Sequence, residues 1–166
     1  MMLKKLEVQK IVNSRNELTI SIFLKSENGQ VHSSVPSGKS RGKYEVIPFS
    51  KKGIDFSISF IKMIGRKLLE DKISFKKFED LKKVEDLVRE YDKTENFELI
   101  GGNSLLCLEY SILKAMALEK GKEVWEFLNP APPKFMPRPL ANCIGGGMHA
   151  KTKLHSDIQE FLLCPN

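Results

Sequence analysis

Apolar and polar residues alternate along most of the first 35 positions, which is the two-residue period of a β-strand with one buried face. The alternation occurs in two runs and resumes in a third after Asn28-Gly29, a pair that tolerates the positive φ angles of a tight hairpin turn. The apolar positions of the three runs are Leu6 and Val8, then Leu18, Ile20, Ile22 and Leu24, then Val31 and Val35. The pattern predicts a three-stranded antiparallel meander.

From residue 54 onward the apolar positions take the spacing of amphipathic helices, after a loop at 36–45 that contains glycines. The first stripe is Ile54, Ile58, Ile61 and Leu68, and the second is Phe78, Leu81, Val84, Val88 and Tyr91. Strands followed by helices predict an α+β domain in which a helical layer packs against the meander.

A third helix is predicted after Gly101-Gly102, which interrupt the helical pattern. Asn103 is a suitable N-cap for this helix, and Gly121 is a suitable residue to end it. Its apolar stripe is Leu105, Leu108, Ile112 and Met116. A short helix over residues 124–128 follows, and we expect its Trp125 to be an anchor in the core.

Five prolines at residues 130–139 predict a stiff, extended linker, because proline neither continues a helix nor donates a sheet hydrogen bond. The segment 140–166 contains a strand at 140–144, a glycine loop, and an apolar run at 158–163. A segment of this size is too short to form a core alone. The predicted organisation is a domain at 1–129, a linker at 130–139 and a strand-containing remnant at 140–166.

Composition narrows the class of protein. The chain has 166 residues, 41% of them hydrophobic, which excludes a disordered chain. Three cysteines without a C-x-x-C pair predict reduced, mostly buried thiols in a cytoplasmic protein, without a signal peptide or a membrane span. The net charge is +6, but lysines alternate with acids, as at residues 82–86, so nucleic acid is an unlikely partner.

The loop at residues 36–42 concentrates glycines, hydroxyls and cations, which suit an anion or a Mg²⁺ ion. Gly38-Lys39-Ser40 resembles the end of a phosphate-binding P-loop, but Ser33 stands where that motif requires its first glycine. Nucleotide binding is therefore not predicted. Taken alone, the loop is better interpreted as an ordinary surface loop.

A second group of residues joins a glycine run at 145–147 to His149, and Gln159 and Glu160 follow nearby. Glu160 lies within the apolar run, where an ionised carboxylate is costly to bury unless it is paired or functional. A carboxylate near a histidine, with a glycine loop between them, suits proton transfer on an anionic substrate. A surface imidazole and an exposed strand carboxylate are the alternative interpretation.

Taken together, these motifs resemble those of enolase, the phosphopyruvate hydratase of glycolysis, along nearly the whole chain. Residues 35–45 (VPSGKSRGKYE) are similar to the family's V-P-S-G-A-S-T-G-x-x-E loop, and Asp157 to Phe161 match D-I-Q-E-F at every position. The other similar segments are Asn13-Ser14-Arg15 with D-S-R, Gly101-Gly102-Asn103-Ser104 with G-A-N-A, and residues 144–150 with I-N-G-G-x-H-A. Five motifs in the same order and spacing identify an enolase-like chain.

The resemblance implies an N-terminal capping domain of three antiparallel strands and helices, followed by a linker into a β/α barrel. It implies that Ser40 helps to hold the second Mg²⁺ of the family. It also implies that His149, Gln159 and Glu160 surround bound 2-phosphoglycerate, with His149 and Glu160 in catalytic roles. The lysine base, the three Mg²⁺-binding carboxylates and the proton-donating glutamate lie further along the barrel in the family, so we expect this chain alone to be inactive.

Several positions depart from the family pattern, and they leave alternatives for the function. Lys39 and Arg41 replace a small residue and a threonine, and Gly145 replaces an asparagine. The first hypothesis is a Mg²⁺-dependent enolase part that needs a barrel-containing subunit or an enolase chain as its partner. The second is a non-catalytic module that binds an anion or regulates an enolase, and the third is a basic nucleic-acid-binding protein, which only the high pI favours.

Overall fold

The computed structural model describes residues 1–38, 42–129, 131, 134–147 and 157–165. It divides into two compact units, Met1–Pro130 and Ala131–Asn166. The first unit contains strands β1 Leu3–Val12, β2 Leu18–Ser26 and β3 Gln30–Ser34, helices α1 Ile54–Glu70, α2 Lys82–Tyr91, α3 Gly102–Glu119 and α4 Val124–Leu128, and a 3₁₀ turn, Phe78–Leu81. The second unit contains strands β4 Ala141–Gly145 and β5 Glu160–Leu163.

The first unit is a two-layer α+β structure, as the sequence predicts. Its strands form an antiparallel sheet in the order β1-β2-β3, in which Val8 lies opposite Ile22 and Ile22 opposite Ser33. Helices α1 and α3 contact this sheet and each other. The centre of the core is fully buried and consists of Ile20, Ile22 and Leu24 from β2, Ile61, Ile64 and Leu68 from α1, and Leu108, Ile112 and Met116 from α3.

The predicted helical stripes are confirmed, except at the two ends of the second stripe. Phe78 and Tyr91, at the two ends of the second stripe, are exposed, because the turn before α2 and the last residue of α2 lie at the surface. Trp125 is 56% exposed on α4 and is not a core anchor, since a helix of five residues packs only one side against its neighbours. Of the cysteines, Cys107 is buried, but Cys143 and Cys164 are exposed.

The two turns of the sheet have different backbone conformations. The β2–β3 hairpin forms at Asn28-Gly29, as predicted; the φ of Gly29 is 157°, Asn28 does not have a positive φ, and the amide of Ser26 donates to the carbonyl of Gly29 at 2.8 Å. In the β1–β2 turn, Asn16 has a φ of 60°. Asparagine is among the few residues other than glycine that accept this left-handed conformation.

The second unit is an antiparallel pair of strands, β4 with β5, in which Ala141 lies opposite Leu163 and Gly145 opposite Glu160. Every residue of β4 is exposed. A two-stranded sheet without a packed face is marginal in isolation. Its assignment to a barrel stays a prediction. Within the described residues of both units, the helices are too short or too polar to cross a membrane.

Candidate functional site

Arg15 anchors the start of the serine loop at residues 36–45. Its Nη2 atom donates to the carbonyl oxygens of Ser37 at 2.7 Å and Gly38 at 3.0 Å, and its Nε atom contacts a carboxylate oxygen of Glu17 at 3.2 Å. Hydrogen bonds from a charged donor are stronger than neutral ones. The guanidinium therefore fixes the backbone just before Lys39 and Ser40.

Arg15 is itself positioned by the turn between β1 and β2. The side-chain oxygen of Asn13 accepts hydrogen bonds from the amides of Arg15 at 2.9 Å and Glu17 at 3.0 Å. The Nδ2 atom of Asn13 donates to the Glu17 carboxylate at 2.8 Å and to the Ser37 hydroxyl at 3.3 Å. Hydrogen bonds from Asn13 and Arg15 hold the pKa of Glu17 below its usual value, so the carboxylate stays charged beside the guanidinium.

The start of α3 supports the same loop from another side. The Nδ2 atom of Asn103 donates to the carbonyl of Pro36 at 3.3 Å, and the amide of Asn103 donates to the carbonyl of Pro48 at 3.0 Å. The prediction of Asn103 as the N-cap is wrong: Gly101 is the N-cap, and Asn103 lies in the first turn with its side chain directed to the loop. The positive φ of 83° at Gly101 turns the chain into the helix at this point.

Three motifs that are distant in sequence thus converge in the first unit. They are the turn at residues 13–17, the loop that starts at Pro36, and the start of α3 at Gly101. Sequence reasoning singled out all three motifs, but it assigned no role to Arg15 and only a helix-capping role to Asn103. Ser40, the predicted Mg²⁺ ligand, lies outside the described residues, together with Lys39 and Arg41.

In the second unit, the hairpin brings the glycine run next to Gln159 and Glu160. The amide of Gly146 donates to the carbonyl of Gln159 at 2.7 Å, and Gly145 is the β-sheet partner of Glu160. Gly147 has a φ of 51°, and a Cβ at this position would lie 3.3 Å from the Cα of Gln159. His149 lies outside the described residues, so its predicted position beside Glu160 stays a prediction.

The apolar run around Glu160 is exposed in the hairpin. Glu160 itself is half-buried, and Gln159 is exposed. The neighbouring apolar residues, each between 46% and 60% exposed, are Ile158, Phe161, Leu162 and Leu163. A two-stranded hairpin has no second layer of its own that could cover these side chains.

The described residues do not form a metal site by themselves. They contain no group of three histidine, cysteine, aspartate or glutamate side chains placed to hold an ion. Mg²⁺ takes carboxylate and other oxygen ligands in octahedral geometry, which one serine hydroxyl cannot supply. The described part of the chain therefore does not fit a complete Mg²⁺ site, and we derive no chemical step through a metal.

Comparison with known proteins assigns the first unit. The sequence family described as "Enolase, N-terminal domain" matches residues 3–128. This match includes the turn at residues 13–17, the serine loop and the start of α3.

Curated relatives named enolase extend the similarity into the second unit. The enolase of Methanosphaera stadtmanae is 34% identical over 158 residues, which is 95% of this chain and 37% of the relative. The enolase of Thermoplasma acidophilum is 35% identical over 161 residues, 97% of this chain and 38% of the relative. That of Ehrlichia chaffeensis is 32% identical over 170 residues, 99% of this chain and 40% of the relative.

The chain thus spans less than half of the length of the curated relatives that it matches. The relatives align across both units, whereas the family match ends at residue 128, before the proline-rich segment. Because that match covers most of the chain, and because the motifs it contains converge in the structure, the chain belongs to the enolase family, as an N-terminal domain followed by a short strand-containing segment.

Proposed function

We propose that this chain supplies the capping-domain part of a Mg²⁺-dependent enolase, which dehydrates 2-phosphoglycerate to phosphoenolpyruvate in glycolysis. The observation that carries the proposal is the alignment of enolases across at least 95% of the chain, from the serine loop to the hairpin with Gln159 and Glu160. Glycolysis takes place in the cytoplasm, which is the location we propose.

The first contribution of the chain is the serine loop. Arg15, Asn13 and Asn103 hold the segment that leads to Ser40 through hydrogen bonds to side chain and backbone. A loop fixed at its start loses less conformational entropy when it closes over a substrate. We propose that Ser40 ligates Mg²⁺ only together with carboxylates from a barrel.

The second contribution is the hairpin. Gly146 and Gly147 approach the backbone of Gln159 closely, and the amide of Gly146 donates to the carbonyl of Gln159, so the glycine run lies directly beside Gln159 and Glu160. We propose that His149, Gln159 and Glu160 surround 2-phosphoglycerate and that Glu160 takes part in proton transfer. The lysine base and the metal-binding carboxylates correspond to none of the motifs in these residues, so the barrel must supply them.

Complementation tests whether this chain supplies one part of the active site and a barrel supplies the other. We expect the purified chain alone to form no phosphoenolpyruvate from 2-phosphoglycerate with Mg²⁺. Mixed with the separately expressed barrel of the Methanosphaera stadtmanae enolase, it should form a complex on gel filtration that has Mg²⁺-dependent activity. Removing the general acid or base of a proton transfer typically costs a factor of about 100 to 10,000, which we expect for Glu160→Gln.

Matched variants distinguish an effect on the metal site from a general effect on the fold. Ser40→Ala should raise the Mg²⁺ concentration needed for half-maximal activity, whereas Ser34→Ala, on an exposed strand position, should not. Turnover by the isolated chain that Glu160→Gln abolishes would contradict the proposal. So would a stable complex with the barrel that has no activity.

Lys39 and Arg41 favour a second candidate, a non-catalytic module that binds an anion or regulates an enolase. These cations stand where the family has a small residue and a threonine, and like charge beside a Mg²⁺ site disfavours the metal while it favours a phosphate. Calorimetric titration of the isolated chain with 2-phosphoglycerate, without Mg²⁺, distinguishes the candidates. Binding that Lys39→Ala and Arg41→Thr remove, together with an inactive barrel complex, would favour the module.

A further inference from the structure

A groove lies on the first unit between the 3₁₀ turn with α2 on one side and α3 on the other. Its volume is about 450 Å³. Its walls are mainly apolar, and its charged residues are Glu79, Lys82, Glu85 and Glu109. The groove is therefore an apolar surface with an excess of carboxylates, and it is separate from the serine loop.

Glu109, on α3, has an unsatisfied oxygen in this groove. Its Oε1 atom is buried and has no hydrogen-bond partner within the described part of the chain. Burial, together with the smaller effect of the neighbouring Glu85 carboxylate, raises the pKa of Glu109 to about 7. A buried hydrogen-bond acceptor without a partner lowers the stability of the fold. The unpaired oxygen of Glu109 is therefore a feature that folding itself does not need.

Large apolar side chains are exposed at the rim of the groove. Phe78 and Leu106, on opposite sides, are 52% and 53% exposed, and Tyr110 lies beside Leu106 along α3. A second groove of about 460 Å³ adjoins the first, since Phe78 and Glu79 line both, and it continues to Phe127 and Leu128. Lys76 and Lys77 line this second groove, so the excess of carboxylates belongs to the first groove alone.

We propose that the first groove binds a polypeptide segment of a partner protein that presents a lysine or arginine beside apolar side chains. The cation pairs with Glu109, and the apolar side chains cover Phe78 and Leu106. Charge complementarity selects this occupant, because three carboxylates and one lysine line the first groove. Anchors spaced along one segment are typical of recognition by an apolar groove. The inference does not depend on the proposed function.

Selection from a random peptide library tests the proposal without choosing the partner in advance. We expect peptides of about 12 residues, selected on the 166-residue chain, to share one lysine or arginine next to apolar residues. Their affinity for the chain can be measured by calorimetry. Loss of one charge-assisted hydrogen bond should weaken binding about tenfold in Glu109→Gln. Leu106→Ser should weaken it as well.

The control is Glu90→Gln, which changes an exposed glutamate of α2 that does not line the groove. Glu109→Gln removes a buried charge and should not unfold the chain, so lost binding cannot be attributed to lost structure. Selected peptides that lack a cation, or an affinity unchanged in Glu109→Gln, would overturn the proposal. Self-association of the chain that Leu106→Ser abolishes would also overturn it, because a second copy would then be the occupant.

Discussion

Asp92 and Glu109 of the first unit both have buried carboxylate oxygens, but they differ in the hydrogen-bond donors around them. Asp92 is fully buried and accepts hydrogen bonds from Thr94, from the amide of Leu99 at 2.8 Å and from that of Ile100 at 3.1 Å. Burial opposes its ionisation, but these hydrogen bonds outweigh burial and keep the pKa of Asp92 below its usual value. Glu109 has no such donors at its buried oxygen within the described residues.

Asp92→Asn should destabilise the fold, because an amide nitrogen would replace an oxygen that accepts hydrogen bonds from buried amides. We expect the free energy of unfolding to fall by roughly 2–4 kcal/mol, the range for breaking a buried hydrogen-bond network. Urea unfolding at pH 7 measures it. Asp86→Asn, at an exposed position of α2, is the control. Equal stability of the two variants would contradict the role assigned to Asp92.

In contrast to Asp92→Asn, Glu109→Gln should increase the stability of the fold above neutral pH. Since the pKa of Glu109 is raised to about 7 from 4.5, its contribution to stability is fully present below pH 4.5 and is lost as the pH rises through 7. The loss between pH 5 and pH 8 is at most about 3 kcal/mol. Unfolding of the wild type and the variant at both pH values measures the difference.

The variant should lose less stability than the wild type over this interval. An identical pH dependence in the two proteins would show that Glu109 is not buried as described. Glu90→Gln, at an exposed position, should behave like the wild type.

Residue-level burial was the least predictable feature of the sequence. A stripe of apolar residues identifies a helix and its inner face, but it does not show how far the neighbouring layer extends. Trp125 and Phe78 lie where no layer covers them, and Glu109 lies on a mostly apolar helix where charge predicts exposure. These outcomes depend on packing between elements, which local periodicity does not contain.

At the scale of elements, the start of α3 shows why two adjacent glycines are not equivalent. A Cβ at Gly101 would lie 2.5 Å from the Cα of Phe49 and 2.7 Å from the carbonyl oxygen of Pro48. Gly102 has more room, since a Cβ there would meet the Val46 side chain at 3.4 Å and the carbonyl oxygen of Ile47 at 3.6 Å, which are ordinary contact distances. The G-A-N-A pattern of the family agrees with this difference, because alanine stands at the second position and not at the first.

Gly101→Ala should therefore prevent the normal approach of α3 to the segment at residues 46–49. The Cβ of alanine would be too close to the backbone of Pro48 and Phe49, and a φ of 83° is unfavourable for alanine. We expect the free energy of unfolding to fall by more than about 3 kcal/mol. Gly102→Ala should be neutral or stabilising by up to about 1 kcal/mol, because alanine favours the helix. Thermal unfolding of both variants measures this, and similar melting temperatures would contradict the explanation.

The elements themselves followed from the period of apolar residues. Three strands and four helices of the first unit were predictable, because each carries its own two-residue or helical repeat and is bounded by glycine, proline or polar residues. The cap of α3 was not predictable in this way. Asn103 is a good N-cap residue in general, but in the fold its side chain instead contacts the carbonyl of Pro36, which is distant in sequence.

At the scale of the whole molecule, each of the two units has its own group of candidate residues. Arg15, Asn13 and Asn103 fix the serine loop in the first unit, and the glycine run adjoins Gln159 and Glu160 in the second. The motifs were predictable from the sequence, because their residues match those of a known family. The hydrogen bonds that connect Asn13, Arg15 and Asn103 with the serine loop were not predictable. Long-range contacts of this kind arise only when the chain folds.

A chimera tests the central claim most directly: residues 1–166 replace the matching segment of the Methanosphaera stadtmanae enolase, which restores a barrel in one polypeptide. We predict Mg²⁺-dependent conversion of 2-phosphoglycerate, with kcat/KM within about a hundredfold of the parent enzyme and a large loss in Glu160→Gln. A folded, monodisperse chimera without turnover, or one whose turnover is unchanged in Glu160→Gln, would contradict the account.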